Sequence, residues 1–311
     1  MRRRDDIAAC LAAACTLLLL LLPSAVAAAN TAAVTTAAGT NAALHSRLPE
    51  AIRRSGVLRL VGESHPPYRI LDDSRRLADG FQLDVARVLA PLLGVRIEHH
   101  TVNSLSATLA GLEAGRYDVA MGPGVATPAR QLRFDGVSYM LTRPCFVYPK
   151  DRPRRFARAT DLCGARIAYV AGSVSERVTD RVIDFCAQAG QPAAQHVPLV
   201  DSNMTLVATQ AGRADVAAMT LTAALYTVHV GAGRFGSYSD ESGTLGQDVI
   251  GLFVTKRSQL APVLRDAMQA LFDSGDYARI TEKWGIAAVR VEAPRINLAR
   301  LPAASASGVT P

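Results

Sequence analysis

The chain has 311 residues, of which 49% are hydrophobic and 20% are charged, a composition typical of a globular protein long enough for two α/β lobes. Its formal net charge of +7 is mild for this length, which argues against a nucleic-acid-binding protein. The densest basic run, residues 152–158, holds four arginines around a single aromatic residue, and we interpret it as a solvated loop. We therefore expect no nucleic-acid partner.

The N-terminus predicts an export signal. A basic start at residues 2–4 is followed by six leucines at 17–22, and small residues up to Ala27 or Ala29 fit a cleavage site. We expect cleavage near Ala27 to Ala29 and a periplasmic mature protein. A retained membrane anchor is the alternative, because the apolar stretch 7–29 is long enough to span a bilayer.

Two further segments have little apolar periodicity. Residues 30–55 begin with a run of alanine, threonine and asparagine, and residues 291–311 end in small residues and proline. Such composition is typical of unstructured chain. The sequence predicts a flexible leader over 30–55 and a flexible tail over 291–311.

Strand and helix patterns alternate between these segments. Residues 56–64 and 164–173 are β-rich runs that end in glycine followed by small polar residues, and each precedes an amphipathic stretch. The two halves thus predict the same order of strand and helix, which indicates an α/β fold. The apolar spacing predicts helices over residues 81–93, 175–188, 260–272 and 277–284.

One short motif occurs twice. Residues 114–120 read Ala-Gly-Arg-Tyr-Asp-Val-Ala, and residues 211–217 read Ala-Gly-Arg-Ala-Asp-Val-Ala. In each copy an amphipathic helix ends at a glycine and a buried strand follows the aspartate. Ligands of parallel α/β sheets bind beyond the carboxyl ends of the strands, so the residues after each copy are the first candidates for a binding site.

Three cysteines remain after the predicted cleavage. Cys163 and Cys186 flank one strand and helix, and the pair can close in an oxidising compartment; three buried thiols are the alternative. Cys145 lies in an apolar run and is interpreted as a core residue. A glycine-rich string at 231–236 and a His-His pair at 99–100 lack the context of a nucleotide or metal site. We expect no cofactor, no metal and no catalytic residue.

Several short motifs follow one another in a recognisable order between Gly56 and about Ile286. They lie at residues 56–60, 80–85, 114–118, 127–130, 161–164, 171–173, 211–213, 275–277 and 283–285. In these motifs the chain resembles the family 3 bacterial extracellular solute-binding proteins, periplasmic components of amino-acid-type ABC importers. The resemblance implies a two-lobed, Venus-flytrap fold, each lobe a mixed sheet flanked by helices, with lobe 1 at 56–142 and 250–286 and lobe 2 at 148–246. It also implies a Cys163–Cys186 disulfide.

The family resemblance also implies a carboxylate clamp. Arg130, in a Thr-x-x-Arg motif with Thr127, would bind a ligand carboxylate through its planar guanidinium; a surface arginine after Pro128 is the alternative. Ser173 would offer a hydroxyl or amide from the other lobe, and an ordinary helix N-cap is its alternative.

The residues after the two motif copies depart from the family pattern. Gly122 and Gly124 lie in a loop that lacks the usual small hydroxyl residues, and Thr220 stands where an acidic residue would hold an α-ammonium group. We therefore expect a carboxylate-bearing ligand that need not be a standard α-amino acid. Glu63 and His65 are candidate polar contacts, with a loop histidine as the alternative for His65. Tyr68 and Leu105 are candidate pocket walls, and either is also compatible with the core.

The function expected from this resemblance is that of a non-catalytic binding protein. Its lobes would close on a small solute, and the monomer would dock on an inner-membrane ABC permease. A dehydratase-like enzyme on the same fold is one alternative, for which Glu63 is the candidate acid. An accessory protein of a quinoprotein dehydrogenase is another, although such relatives generally lack the Thr127 and Arg130 clamp.

Overall fold

The computed structural model describes residues 39–297, so the predicted signal peptide lies outside the described residues. The helices are α1 (Ala42–Ser46), α2 (Glu50–Ser55), α3 (Phe81–Leu93), α4 (Leu105–Glu113), α5 (Pro128–Arg133), α6 (Val174–Gln188), α7 (Ser202–Gln210), α8 (Leu221–Val230), α9 (Ala261–Asp273) and α10 (Asp276–Lys283). The strands are β1 (Val57–Glu63), β2 (Ile70–Leu71), β3 (Leu77–Asp79), β4 (Arg96–Val102), β5 (Val119–Ala120), β6 (Phe134–Thr142), β7 (Pro144–Pro149), β8 (Arg166–Val170), β9 (Gln195–Leu199), β10 (Val216–Thr220), β11 (Phe235–Ser239) and β12 (Asp248–Thr255). The four helices predicted from apolar spacing are present within one residue of the expected bounds.

Two five-stranded sheets organise the chain. The first has the order β4-β1-β5-β12-β6 and the second the order β9-β8-β10-β7-β11. In both, the first three strands are parallel and the fourth is antiparallel to the third. The sheets therefore repeat one topology, and we call each sheet with its packed helices a lobe.

The closing helices pack on the first lobe. The Trp284 indole nitrogen donates to the Asp84 carboxylate of α3 at 2.9 Å, and the Lys283 ammonium lies 2.6 Å from the same carboxylate. In the same lobe, the rings of Phe81 and Tyr139 stack with their centroids 5.8 Å apart. These contacts join the last helices to a core formed mainly by earlier segments.

The chain between residues 39 and 55 differs from the predicted leader. Leu44, Leu48 and Ile52 are buried on α1, the turn after it and α2, and the Asn41 side chain caps α1 by accepting from the Leu44 amide at 3.1 Å. The alanine-rich composition concealed this four-residue spacing of apolar side chains, which is typical of a helical face. The flexible leader was therefore a wrong prediction for residues 42–55.

The predicted flexible tail over 291–311 was wrong for residues 295–297, and the rest of it beyond residue 297 lies outside the described residues. The Ser138 amide donates to the Arg295 carbonyl at 2.8 Å, and the Asn297 amide donates to the Gly136 carbonyl at 2.8 Å. Residues 295–297 thus extend the outer edge of the first sheet along β6. Backbone pairing of this kind does not require an apolar pattern, so composition alone did not reveal it.

The second lobe contains a disulfide. Cys163 and Cys186 are bonded, with their Cα atoms 5.5 Å apart, which confirms the pairing expected from the resemblance. The bridge joins the turn before β8 to the C-terminal part of α6. Cys145 is a buried free cysteine on β7. Among residues 39–297, no helix is both long enough and apolar enough to cross a membrane.

Candidate functional site

The repeated motif places its aspartate at the start of a central strand in each lobe. Asp118 accepts from the Arg59 guanidinium at 2.7 and 3.0 Å and from the Arg59 amide at 2.8 Å. Asp215 accepts from Arg166 in the same way, at 2.8 and 3.2 Å from the guanidinium and 2.8 Å from the amide. These ion pairs fix neighbouring strands at their amino ends, so the repeat is structural and leaves the carboxyl ends for chemistry.

The carboxyl ends of the two sheets meet across a cleft. His65 follows β1, and its Nδ1 lies 3.3 Å from the Ser202 hydroxyl at the start of α7 in the second lobe. Tyr68 is fully buried, and its hydroxyl lies close to the Thr222 side chain of α8. Residues from both lobes are therefore in contact at this edge, and the predicted candidates His65 and Tyr68 take part.

Arg130 is fixed by its own helix and the preceding loop. The Thr127 hydroxyl caps α5 by accepting from the Arg130 amide at 3.2 Å, and the Arg130 guanidinium donates to the Val125 carbonyl at 2.6 Å. Burial, followed by repulsion from Arg177, lowers the pKa of Arg130, and attraction to Glu63 and Asp248 opposes this. Arg130 is thus half-buried and lies near charges of both lobes, whereas the alternative was an exposed surface arginine.

Glu63, at the end of β1, is a half-buried carboxyl group whose hydrogen bonding is weak. Burial raises its pKa to about 7, against the opposing influence of Arg130, the Thr108 hydroxyl and Arg69. The Thr108 hydroxyl lies 3.5 Å away. No ion pair joins Glu63 to an arginine within the described part of the chain. The group can therefore hold or release a proton near neutral pH.

Burial has the opposite effect on the neighbouring histidine. It lowers the pKa of His65 to about 4, because the charged imidazolium loses its hydration. The Nε2 atom of His65 is buried and makes no hydrogen bond in residues 39–297. His65 is therefore neutral at physiological pH, with one unused nitrogen at the cleft.

Arg69 is a buried charged residue near Glu63 that was not among the predicted candidates. It is fully buried, and it donates to Gln82 at 3.1 Å and to Thr101 at 3.0 Å. Its second terminal nitrogen makes no hydrogen bond within residues 39–297. Burial lowers the pKa of Arg69 to about 10, and the charge of Glu63 opposes the shift. A single arginine between Tyr68 and Ile70 gave no periodic signal that would have identified it.

The two glycines of the loop after β5 have different surroundings. A Cβ atom on Gly124 would lie 2.6 Å from the Phe253 ring, whereas one on Gly122 would meet only the Gln82 side-chain nitrogen at 3.6 Å. The Gly122 carbonyl accepts from the Tyr139 hydroxyl at 2.7 Å. Gly124 therefore permits close packing on β12, and Gly122 faces more open space.

The second-lobe candidates Ser173 and Thr220 both lie at the starts of helices. Ser173 caps α6 by accepting from the Ser175 amide at 3.2 Å, and Thr220 caps α8 by accepting from the Ala223 amide at 3.4 Å. Ser173 thus has the N-cap geometry considered as its alternative. Leu105 is the first residue of α4 in the first lobe and is half-buried. In residues 39–297, no group of three or more histidine, cysteine, aspartate or glutamate side chains is arranged to hold a metal ion.

A protein family and one relative match this chain over most of its length. The family model for bacterial extracellular solute-binding proteins, family 3, matches residues 58–287. The arginine-binding protein ArgT of Corynebacterium glutamicum is 24% identical over 247 residues, which cover 78% of this chain and 79% of that protein. A membrane-bound lytic murein transglycosylase F of Ectopseudomonas mendocina is 33% identical over 127 residues, but this chain spans only 25% of it.

Solved structures share the fold. The ancestral amino acid-binding protein AncCDT-1, a precursor of cyclohexadienyl dehydratase, superposes with a TM-score of 0.64 at 20% identity, covering 75% of this chain and 97% of its own. An amino acid ABC transporter substrate-binding protein of Streptococcus pneumoniae, bound to L-arginine, gives a TM-score of 0.62 at 26% identity, covering 78% of this chain and 98% of its own. These likenesses confirm the two-lobed α/β fold class predicted from the sequence. The family match, which covers well over half of the chain, confirms the resemblance found there: this chain belongs to the bacterial extracellular solute-binding proteins of family 3.

Proposed function

We propose that this chain is the periplasmic substrate-binding component of an ABC importer, and that it binds a small carboxylate-bearing solute between two closing lobes. The solute is an amino acid or a derivative. The chain is exported through a cleaved signal peptide, acts as a monomer and delivers its ligand to an inner-membrane permease. Lobe 1 comprises residues 56–142 and 250–286, and lobe 2 comprises residues 148–246.

The half-buried guanidinium of Arg130 carries this proposal. A guanidinium presents parallel donors that match a carboxylate, and the match strengthens when water is excluded. One Arg130 nitrogen already donates to the Val125 carbonyl at 2.6 Å, which holds the side chain in place while other donors remain for a ligand. Thr127 fixes the helix on which Arg130 stands, and Ser173 supports the same carboxylate from the second lobe.

The relatives support an amino-acid-like ligand. The relative from Corynebacterium glutamicum is named for arginine binding, and the Streptococcus pneumoniae structure holds L-arginine. The loop around Gly122 and the capping Thr220 supply no acidic group for an α-ammonium in this chain. Glu63 is a carboxyl group of the cleft that could replace such a contact.

Lobe closure is supported by the contact across the cleft. The His65 ring and the Ser202 hydroxyl lie 3.3 Å apart and belong to different lobes. A hydrogen bond between flexible neutral groups contributes only about 1 kcal/mol. A contact of this strength permits reopening, as a binding protein that captures and releases its ligand requires.

A thermal-shift screen of amino acids, keto acids and dicarboxylates, followed by calorimetry, tests the proposal. A ligand that binds only the folded state raises the melting temperature. Arg130→Ala is expected to weaken carboxylate binding by roughly 100-fold, because it removes a charged, two-pronged contact. Arg133→Ala is the matched control, since Arg133 lies on the same helix but pairs with Glu113 outside the cleft. If a carboxylate raises the melting temperature of both variants by the same amount, Arg130 does not bind the ligand.

A dehydratase-like activity is the second candidate, and Glu63 favours it. Its half-buried carboxyl, with a pKa of about 7, is suited to donate a proton, and one solved relative is described as a precursor of cyclohexadienyl dehydratase. Turnover of prephenate-like acids that Glu63→Gln abolishes would support the enzyme. Binding without turnover would reject it.

A further inference from the structure

Arg177 is a charged side chain of the second lobe that the proposed site does not use. It lies on α6, one helical turn after Ser173, and it is exposed. Within residues 39–297 its guanidinium makes no hydrogen bond and no ion pair. An arginine without a protein partner at the wall of a cleft has all its donors available for a ligand.

Contacts of neighbouring residues connect the helix of Arg177 with the loop before Arg130. One turn further along α6, the Arg181 guanidinium donates to the Leu245 carbonyl at 2.7 Å. The segment that follows Leu245 reaches the Arg130 loop within a few residues, because the Ala126 amide donates to the Val249 carbonyl at 2.8 Å. The segment 245–249 therefore connects α6 of the second lobe to the loop that precedes Arg130 in the first. Arg177 is close enough to Arg130 to lower the pKa of Arg130.

The charges around the cleft are unbalanced. Arg130, Arg177 and the buried Arg69 are cations, and the acidic groups that influence Arg130 are Glu63 and Asp248. Arg69 has a buried terminal nitrogen without a hydrogen bond in the described residues. Bringing cations of both lobes together is unfavourable unless an anion lies between them. A ligand with a single carboxylate would satisfy Arg130 and leave Arg177 unpaired.

We infer that the ligand is a diacid, with one carboxylate bound by Arg130 in the first lobe and a second acidic group bound by Arg177 in the second. The inference rests on the proposed function and narrows its ligand class. It also differs from the ligand of the arginine-binding relatives, whose guanidinium side chain would meet like charge here. The diacid bridges the lobes, so that its binding is coupled to their closure.

Calorimetry on the mature protein tests this with matched ligand pairs. The panel contains the dicarboxylates from succinate to pimelate with the corresponding monocarboxylates, L-glutamate with L-glutamine, and L-arginine. At least one diacid is expected to bind roughly 10-fold or more tightly than its monoacid partner, because a charge-assisted contact is added. In Arg177→Ala this ratio should fall to near one while monoacid affinity is retained. Arg177→Lys should restore part of it.

The outcomes separate this inference from the proposed function. If Arg130→Ala loses all carboxylate binding but Arg177→Ala keeps the preference for diacids, the proposed function stands. The inference that Arg177 binds the second acidic group of a diacid is then wrong. Tightest binding of L-arginine, or a panel in which no diacid binds, also overturns it. Carboxylate binding that survives Arg130→Ala contradicts the proposed function itself.

Discussion

The two lobes are alike where their strands begin and different where they end. The Arg59–Asp118 and Arg166–Asp215 pairs have the same three hydrogen bonds within a few tenths of an ångström. The strand order is also the same. A duplicated unit therefore retains the contacts that set its strand register, which both copies need in order to fold.

At the carboxyl ends the lobes present different chemistry. The first lobe brings Glu63, Arg69 and Arg130 to the cleft, all with shifted pKa values. The second lobe brings the hydroxyls of Ser173 and Thr220, which cap helices. Buried charge is costly and is tolerated where a ligand compensates it. In the proposed function, the first lobe thus supplies the charged groups with shifted pKa values, and the second supplies the capping hydroxyls and the exposed Arg177.

The largest expected effect concerns a bond found in the second lobe, Cys163–Cys186. Replacing both cysteines by alanine should lower the free energy of unfolding by about 3 kcal/mol, because the unfolded chain gains the freedom of a closed loop. Thermal unfolding with and without reductant measures this. Reductant should destabilise the natural protein and leave the double variant unchanged. Equal sensitivity of both proteins would show that the bridge does not stabilise the lobe.

Glu63 makes the first lobe sensitive to pH. Its folded pKa of about 7 exceeds the usual 4.5, so its contribution to stability is complete below pH 4.5 and is lost as the pH rises through 7. Glu63→Gln avoids that loss and should be more stable than the natural protein by roughly 2 kcal/mol at pH 8, but not at pH 4.5. Urea unfolding across this range measures the difference. His65, whose pKa is lowered, acts in the opposite direction, and its effect cancels because both proteins contain it. A difference that does not change with pH would contradict the assignment.

Local pattern predicted most of the fold and part of the cleft. The apolar spacing of α3 and α6 is strong because each helix buries one face, and both helices lie where expected. The short helices α1 and α2 were missed because each buries a single apolar side chain, Leu44 and Ile52, which is too little for a periodic pattern. The disulfide was expected from the family resemblance, because the spacing of the cysteines alone is also compatible with three buried thiols.

Charged groups in the cleft were less predictable, because their roles depend on distant residues. Glu63 was a candidate because it ends a predicted strand, but its raised pKa arises from burial that no local pattern indicates. Arg69 is buried through contacts to Gln82 and Thr101, which belong to other elements. Gly124 packs on Phe253, more than a hundred residues later. Such contacts are set by topology and are invisible in a local window.

The loop after β5 allows a matched test of packing against exposure in the first lobe. Gly124→Ala places a Cβ atom 2.6 Å from the Phe253 ring, and the shift that this requires should cost ~1–2 kcal/mol of stability. Gly122→Ala meets only the Gln82 nitrogen at 3.6 Å and should be nearly neutral for stability. Chemical unfolding compares the two variants. If Gly124→Ala leaves the free energy of unfolding unchanged, the Phe253 ring moves aside at little cost, and its packing does not explain the glycine.

The smallest effect tests the likeness of the lobes directly. Asp118→Ala and Asp215→Ala each remove a carboxylate that accepts hydrogen bonds from the backbone amide and the guanidinium of one arginine. The side chains of these two arginines are both 40% exposed. Because solvent screens such pairs, each loss should be ~1 kcal/mol. The loss at Asp215 should be slightly the larger, because the Arg154 guanidinium also lies 3.9 Å from its carboxylate, and the two losses should add in the double variant because the pairs lie in different lobes. A difference of more than about 1 kcal/mol between the two losses in urea unfolding would mean that the same hydrogen bonds stabilise the lobes unequally.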